Sequence, residues 1–534
     1  MSTIPTAPSL SAIYPPSALP FQSPRWTRLL STFSTTFSRP ATFVSRSPGR
    51  VNLIGEHIDY SLYPVIPMAV EQDVLLAVGV RARSSDEGSG DGDGASGKGT
   101  RIRLRNLDGE RFAPHEFEVG SDGRVRIDSS RLEWSNYFKA GMRGALELLG
   151  KLGHAGLQGV DLDVLATGTV PAGGGMSSSA AFVCAAALAV VRAAGVEEVD
   201  KKALVETAVV SERSVGVNSG GMDQSASVFG ERGSALYVKF VPELEARAVE
   251  FPELKEPLTF VVAQSLVAAD KHVSAPVCYN LRVVECTLAS LVLGKITGVQ
   301  GKMKGDKSPL GMALRTFHDA FLEGKEKEDG TEGEKKQLEQ LLKLVDDYLP
   351  QEEGYTREQI SDILGTSIKE LEEKYMTKFP VRAERFKLRH RAIHVFSEAL
   401  RVMNFLALIE GSTPTTDEEG KELVKDLGDL LNQTQDSCRD VFECSCPELD
   451  ELCTLARSAG AVGSRLTGAG WGGCSVHLVP ADKVDAVKEA WTEKFYKKRF
   501  PDISEEKLSE AIVVSKPGKG SCLVEVEGRE SIPE

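Results

Sequence analysis

Apolar residues recur at helical spacing in several long stretches, and in others they alternate or run together as strands do. "EWSNYFKAGMRGALELLGKLG", "DKKALVETAVVSERSVGV" and the longer "RFKLRHRAIHVFSEALRVMNFLALI" predict helices, while "AAFVCAAALAVVRAAG" is apolar on nearly every face and predicts a buried one. "SPRWTRLLSTFSTTF" predicts a short helix near the start, with prolines interrupting any continuous amphipathic helix. "ATFVSRSPGRVNLIGEHIDY" begins as a short strand and is expected to turn at Ser47, Pro48 and Gly49. Further strands are expected in "VEQDVLLAVGVRAR", "TRIRLRNL", "GVDLDVLATGTVP", "ALYVKFVP", "LTFVVAQSLV" and "CSVHLVP". The polar "SSDEGSGDGDGASGKG" reads as an extended hairpin loop, and residues 294–376, dense in Lys and Glu, as an insertion or peripheral layer whose "EKEDGTEGEKKQLEQLLKLVDDYL" is a solvated helix.

A chain of 534 residues exceeds one ordinary core, so two domains with insertions are expected. With 41% hydrophobic and 26% charged residues it has a globular composition, and its net charge of −14 argues against a nucleic-acid partner. Nine cysteines, an odd number, do not suit a disulfide framework, so a reducing compartment, the cytoplasm, is expected. Cys438, Cys444, Cys446 and Cys453 lack paired spacing and a nearby histidine, which reads as buried thiols rather than zinc ligands. The first 46 residues, without Asp or Glu and with Arg25, Arg28, Arg39 and Arg46, imitate a transit peptide, but the prolines and the helix leading into the first strand favour the fold. No run approaches the ~18 uninterrupted apolar residues of a membrane span, so no membrane partner is expected.

Four stretches carry candidate chemistry. In "VPAGGGMSSSAAF" glycines and serines stand where the buried helix begins, and unpaired N–H groups there suit phosphate, although a loop with an ordinary serine cap has the same composition. Arg50, after the Pro-Gly pair, is placed to meet a migrating phosphoryl group or to pair with a carboxylate. Glu56, His57 and Asp59 within four positions suit a polyhydroxylated ligand, with a metal site as the rival. Asp223 in "GGMDQS" is a candidate base, a hydroxyl-orienting group or a turn aspartate. "LTGAGWGGCSV" fits a dinucleotide fingerprint in spacing but leads into a strand where that motif needs a helix. Together these suit phosphoryl transfer to an alcohol. A serine-hydrolase elbow and the protein-kinase motifs are absent.

These residues resemble the galactokinases of the GHMP kinase superfamily: "GRVNLIGEHIDY" is similar to their signature, "VPAGGGMSSSAA" to the phosphate-binding loop and "LTGAGWGGC" to the third motif. The resemblance implies an α+β, two-lobed fold with the active site between an N-terminal S5-domain-2-like lobe and a C-terminal ferredoxin-like lobe. It divides the chain into an extension (1–40), an N-terminal lobe (41–255) and a C-terminal lobe (256–534). It implies ATP-dependent phosphorylation of galactose at its anomeric hydroxyl, with Mg²⁺. Arg50 and Asp223 would be the catalytic pair, and Arg50, Glu56, His57, Asp59, Gly220, Asp223 and Tyr279 would meet the sugar. Gly173, Gly174, Gly175, Ser177, Ser178 and Ser179 would hold the nucleotide phosphates, Trp134 and Tyr137 would lie beside adenine, and Ser179 and Glu212 are the magnesium candidates. "YNLRVVEC" and "SCRDVFECSCPELDEL" resemble the long eukaryotic branch, which also holds N-acetylgalactosamine kinases and galactose sensors that dock on transcriptional repressors. Those sensors typically lack a Ser-Ala pair that "SSSAA" retains.

Overall fold

The computed structural model describes residues 2–534 except 83–98, 121, 129–130, 132, 158, 172–173, 216–219, 256–257, 268–274, 325–329, 378, 527–528 and 530. The glycine-rich separator up to Lys98, and Gly173, therefore lie outside the described residues.

Two long strands, β1 (Phe43–Ile54) and β2 (Ile66–Ala82), pair antiparallel at the centre of a six-stranded sheet. β1 is buried throughout and does not turn at residues 47–49. Its register with β2 instead shifts between Pro48 and Arg50. Proline lacks an N–H to give the ladder, and a bulge absorbs that loss while re-aiming the next side chain, here Arg50. β5 (Val160–Gly168) follows β2 in the sheet, then β3 (Thr100–Asn106), parallel to β5, and β4 (His115–Val119) at the edge. β2 and β3 are thus not hairpin partners. β5 is buried along most of its length and takes the interior place, whereas β3 exposes alternate residues and suits a position nearer the edge.

The other edge is β12 (Cys522–Glu525), paired with β1, so the chain's last strand completes the first sheet. A boundary at residue 255 divides the sequence but not this layer. The first 40 residues likewise belong to it. α1 (Leu19–Phe37) runs through Pro24 without ending, and buries Trp26, Leu29, Leu30 and Phe33 against Leu75, Ala77 and Val524 on one sheet face. Leu76 and Val78, alternating with them, face the other way, toward α3 (Ser178–Ala193), on which α2 (Ser135–Lys151) packs. α4 (Lys201–Glu212) and α5 (Met222–Phe229) pack beside α3, followed by the hairpin β6 (Ser234–Lys239) and β7 (Glu245–Glu250).

The second sheet has the order β11-β8-β10-β9, from β8 (Leu258–Gln264), β9 (Gly463–Thr467), β10 (Cys474–Pro480) and β11 (Ile512–Ser515), all antiparallel. α12 (Asp417–Asp436) and α13 (Pro447–Ser458) precede β9, and α14 (Val484–Trp491) joins β10 to β11, which is the ferredoxin-like alternation. Between β8 and α12 come α6 (Tyr279–Ile296), α7 (Leu314–Leu322), α8 (Gly330–Tyr348), α9 (Arg357–Leu364), α10 (Ile368–Tyr375) and α11 (Leu388–Gly411). α8 is not a solvated helix: Leu338, Leu341, Leu344 and Val345 form an apolar stripe that it buries, packed on α11. α11 is apolar and long enough to cross a membrane, but it packs against α6, α8 and α12, with Arg391, His394 and Glu398 hydrogen-bonded in the interior. One hydrophobic cluster runs through both lobes, from Ile4 to Leu523.

Candidate active site

Three loops meet between the lobes. The first, residues 55–59, leaves β1 and passes through left-handed backbone at Gly55 (φ 105°) and His57 (φ 60°). The second, residues 174–177, leads into α3. The third, residues 468–473, joins β9 to β10 and touches both of the others.

On the phosphate side, Ser177 occupies the N-cap of α3 in left-handed backbone and makes no side-chain capping bond, so the ordinary serine cap is not what this loop builds. Ser178 and Ser179 begin the helix and are partly exposed, beside backbone N–H groups of its first turn. Gly175 and Gly468 lie in backbone contact. A Cβ on Gly468 would come within 2.7 Å of the Gly175 carbonyl oxygen, so only glycine lets the third loop support the second. Trp134 and Tyr137 are half-buried at the start of α2. The indole N–H of Trp134 donates to the Ala113 carbonyl (2.9 Å), and its ring stands edge-on to Phe182. Glu212, at the end of α4, is buried and accepts from Gln224, the neighbour of Asp223. Burial, then Glu212, raises the Tyr137 phenol above its usual pKa.

Arg50 joins this side to the sugar side. Its Nε and Nη2 each lie 2.8 Å from Asp223 Oδ1, while Nη1 donates to the Gly175 carbonyl at 2.7 Å. Its backbone N–H donates to the Met176 carbonyl (3.1 Å). Asp223, in the first turn of α5, is the more exposed partner, at 19% against 4% for the arginine side chain.

On the sugar side, Asp59 is buried and accepts from the Gly220 N–H (3.0 Å). A Cβ on Gly220 would fall 2.5 Å from the Asp59 carbonyl carbon. Burial, then the neighbouring Asp223 carboxylate, raises the Asp59 pKa to about 6. Burial and the carboxylates of Asp59 and Asp223 hold the Tyr279 phenol protonated. Glu56 and His57 are buried and already engaged. Glu56 Oε2 pairs with Arg465 and accepts from the Gly468 N–H (3.1 Å). His57 Nε2 is 3.0 Å from the Ala469 carbonyl, which can only accept, so Nε2 carries a proton and, in the neutral ring, Nδ1 accepts from the Tyr60 hydroxyl (3.0 Å). Both ring nitrogens thus bond protein, and His57 braces the loop rather than offering a free donor. Burial disfavours its protonated form, but Cys444, Glu56 and the Ala469 carbonyl outweigh that and raise its pKa.

A family model described as the galactokinase galactose-binding signature matches residues 31–80, and the GHMP kinase N-terminal and C-terminal domain models match 136–231 and 421–497. The galactokinase of Saccharomyces cerevisiae is 42% identical over 521 residues, spanning 93% of this chain and 94% of that protein. The chain belongs to the galactokinase family. A second galactokinase, from Schizosaccharomyces pombe, is 38% identical over 541 residues, covering 98% of this chain and 99% of its own. The structure of Lactococcus lactis galactokinase complexed with galactose shares the fold, with a TM-score of 0.61 at 22% identity over 93% of this chain and 98% of that one.

For a galactokinase-family chain, the residues missed in the sequence are instructive. Arg465, fully buried, donates to the Asn52 (2.9 Å) and Leu53 (2.8 Å) carbonyls as well as pairing with Glu56. Its only signal was a charge inside the short apolar run before "TGAGWGG". His394 and Glu398 sit four apart on α11, inside an apolar segment whose pattern is that of a core helix.

Proposed function

We propose that the protein transfers the γ-phosphoryl group of ATP to the anomeric hydroxyl of D-galactose, giving galactose 1-phosphate and ADP. The observation that carries this is the Arg50 guanidinium, bonded on one side to Asp223 and on the other to the Gly175 carbonyl, which ties the sugar side of the cleft to the phosphate loop. The sugar oxygen bonds to the γ-phosphorus as the bond to the β-bridging oxygen breaks, and its proton passes toward Asp223. Asp223 orients the hydroxyl and accepts the proton, while Arg50 fixes the carboxylate and faces the charge on the transferred group. Asp59, above its pKa of about 6, accepts from sugar hydroxyls, and Tyr279 lies against the same pocket, its ring 5.6 Å from that of His57.

The nucleotide phosphates would lie on Gly174, Gly175 and residues 177–179, with adenine beside Trp134 and Tyr137. Ser179 and Glu212 offer a hydroxyl and a carboxylate, hard oxygen donors that fit Mg²⁺ when phosphate and water complete its shell. Among the described residues no cluster of three or more His, Cys, Asp or Glu forms an all-protein cage, as suits an ion arriving with its nucleotide. Mg²⁺ bound there would offset phosphate charge. All nine cysteines are free thiols, which supports a cytoplasmic setting.

The test is kcat/KM for galactose against N-acetylgalactosamine, following ADP release with Mg²⁺ and ATP. A preference for galactose is expected. The reverse preference would change the substrate, and galactose binding without turnover would favour a sensor.

A further inference from the structure

We infer that His394 and Glu398 of α11 clamp the sugar-binding loop from the opposite lobe and act as positioning residues for galactose. The inference rests on the sugar-kinase reading of the cleft.

Residues four apart on a helix share a face. From that face Glu398 Oε1 accepts from two consecutive N–H groups, Gly55 (2.9 Å) and Glu56 (3.0 Å), and His394 Nε2 donates to the Glu56 carbonyl (2.9 Å). The backbone of Glu56 is thus gripped at its N–H and its C=O by side chains one helical turn apart. Each clamp residue is anchored behind. Glu398 Oε2 accepts from Arg401 Nε (2.7 Å) and the Thr434 hydroxyl (3.0 Å), and His394 Nδ1 lies 2.8 Å from the Ser437 hydroxyl. Both are fully buried. The states this requires are the ones present: burial opposes ionisation of Glu398, but Arg401, His394 and Arg465 hold its pKa at about 2, and burial pushes His394 down to about 3. A carboxylate and a neutral imidazole therefore persist across the working pH range.

A loop through two left-handed residues has no ladder of its own to hold it. Shifting the Glu56 backbone would move its carboxylate off Arg465 and Gly468, and would carry Asp59, three residues on, away from Gly220. The phosphate loop is held from elsewhere, by Arg50 and the third loop. Loss of the clamp should therefore weaken sugar binding selectively, whereas a merely structural ion pair would lower stability and move all kinetic constants together.

The experiment compares Glu398→Gln and His394→Gln with the wild-type chain in galactose KM, ATP KM, galactose Kd by calorimetry and Tm. Asp163→Asn serves as the stability control, because it breaks the Arg39 and Arg103 bridges on the sheet far from the cleft. The loss of charge-assisted bonds to the loop should raise galactose KM and Kd about tenfold or more in Glu398→Gln, with ATP KM within about twofold. Galactose and ATP constants rising together, or a galactose effect matched by Asp163→Asn at equal loss of Tm, would overturn the clamp. Should Glu398→Gln fail to fold, Thr434→Val and Ser437→Ala remove the anchors, and the same split is expected at about two- to fivefold. Equal shifts in both substrates there would also overturn it. A wild type that binds galactose without turnover sinks only the kinase reading, since Kd still reads the clamp; one that binds no galactose sinks both.

Discussion

The two sides of the cleft are held by opposite means. The sugar loop is fastened by buried charge and hydrogen bonds: Arg465 on Glu56, Glu398 on two backbone N–H groups, His57 on the Ala469 carbonyl. The phosphate loop is fastened by missing side chains, with Gly175 in backbone contact with Gly468 and Arg50 reaching its carbonyl. A neutral polyol is selected by the direction of hydroxyl bonds, which needs acceptors fixed in place, and buried ion pairs fix them. A polyphosphate is met by many N–H groups at once, which needs the backbone itself to come close. The third loop serves both sides, donating the Gly468 N–H to Glu56 and backing Gly175.

The comparison makes the catalytic pair, which joins the two sides, the most sensitive point. Asp223→Ala should lower kcat by about a thousandfold, with galactose Kd by calorimetry changed far less. Near-normal turnover would remove its assigned role. Arg50→Lys should cost about a hundredfold in kcat, since an ammonium cannot bond Asp223 and the Gly175 carbonyl as a planar fork does. Full activity would return Arg50 to a structural role.

Separating the sides gives smaller, selective effects. Arg465→Met strands Glu56 in the interior, so chemical denaturation should show a loss of about 3–5 kcal/mol, with galactose KM raised. Gly468→Ala forces a Cβ into the Gly175 carbonyl from left-handed backbone (φ 91°), so ATP KM should rise and stability fall by about 1–3 kcal/mol, with galactose Kd little changed. If each variant disturbed both substrates equally, the division of labour would be wrong.

The smallest effect concerns stability and pH. Asp59 ionises at about 6 in the fold against 3.8 as its ordinary value. The unfolded chain binds fewer protons at this group between those values, so its penalty on the ligand-free fold grows as pH rises through that window and is complete above about pH 6. Asp59→Asn should therefore raise stability by about 3 kcal/mol at pH 7–8 and by nothing below pH 3.8, while weakening galactose binding. A melting-temperature gain independent of pH would refute the account. In the wild type, galactose binding should weaken as pH falls through about 6.

Much of the cleft was legible because its chemistry is local. A glycine-serine run before an apolar helix, three polar residues within four positions and an aspartate after two glycines are signals carried by neighbours in sequence, and the structure brings these stretches together. Whether Glu56 and His57 face a ligand or the protein was not legible, since it depends on Arg465, Ala469 and Tyr60. The hairpin expected between β2 and β3 failed for a related reason: adjacency in sequence predicts pairing only when no more buried strand competes for the place, and β5 does.

Sequence alone determined most of the long helices and the longer strands, where the phosphate loop enters its helix and which family the motifs resemble, because periodicity, caps and motif spacing act over a few residues; the short strands β4, β7, β9, β11 and β12 did not stand out. Tertiary structure alone decided that the last strand joins the first sheet, that α8 is half-buried and that an apolar helix carries the groups gripping Glu56. Those outcomes depend on which distant surfaces bury one another and which buried polar groups find partners, and both are set by contacts spanning hundreds of residues.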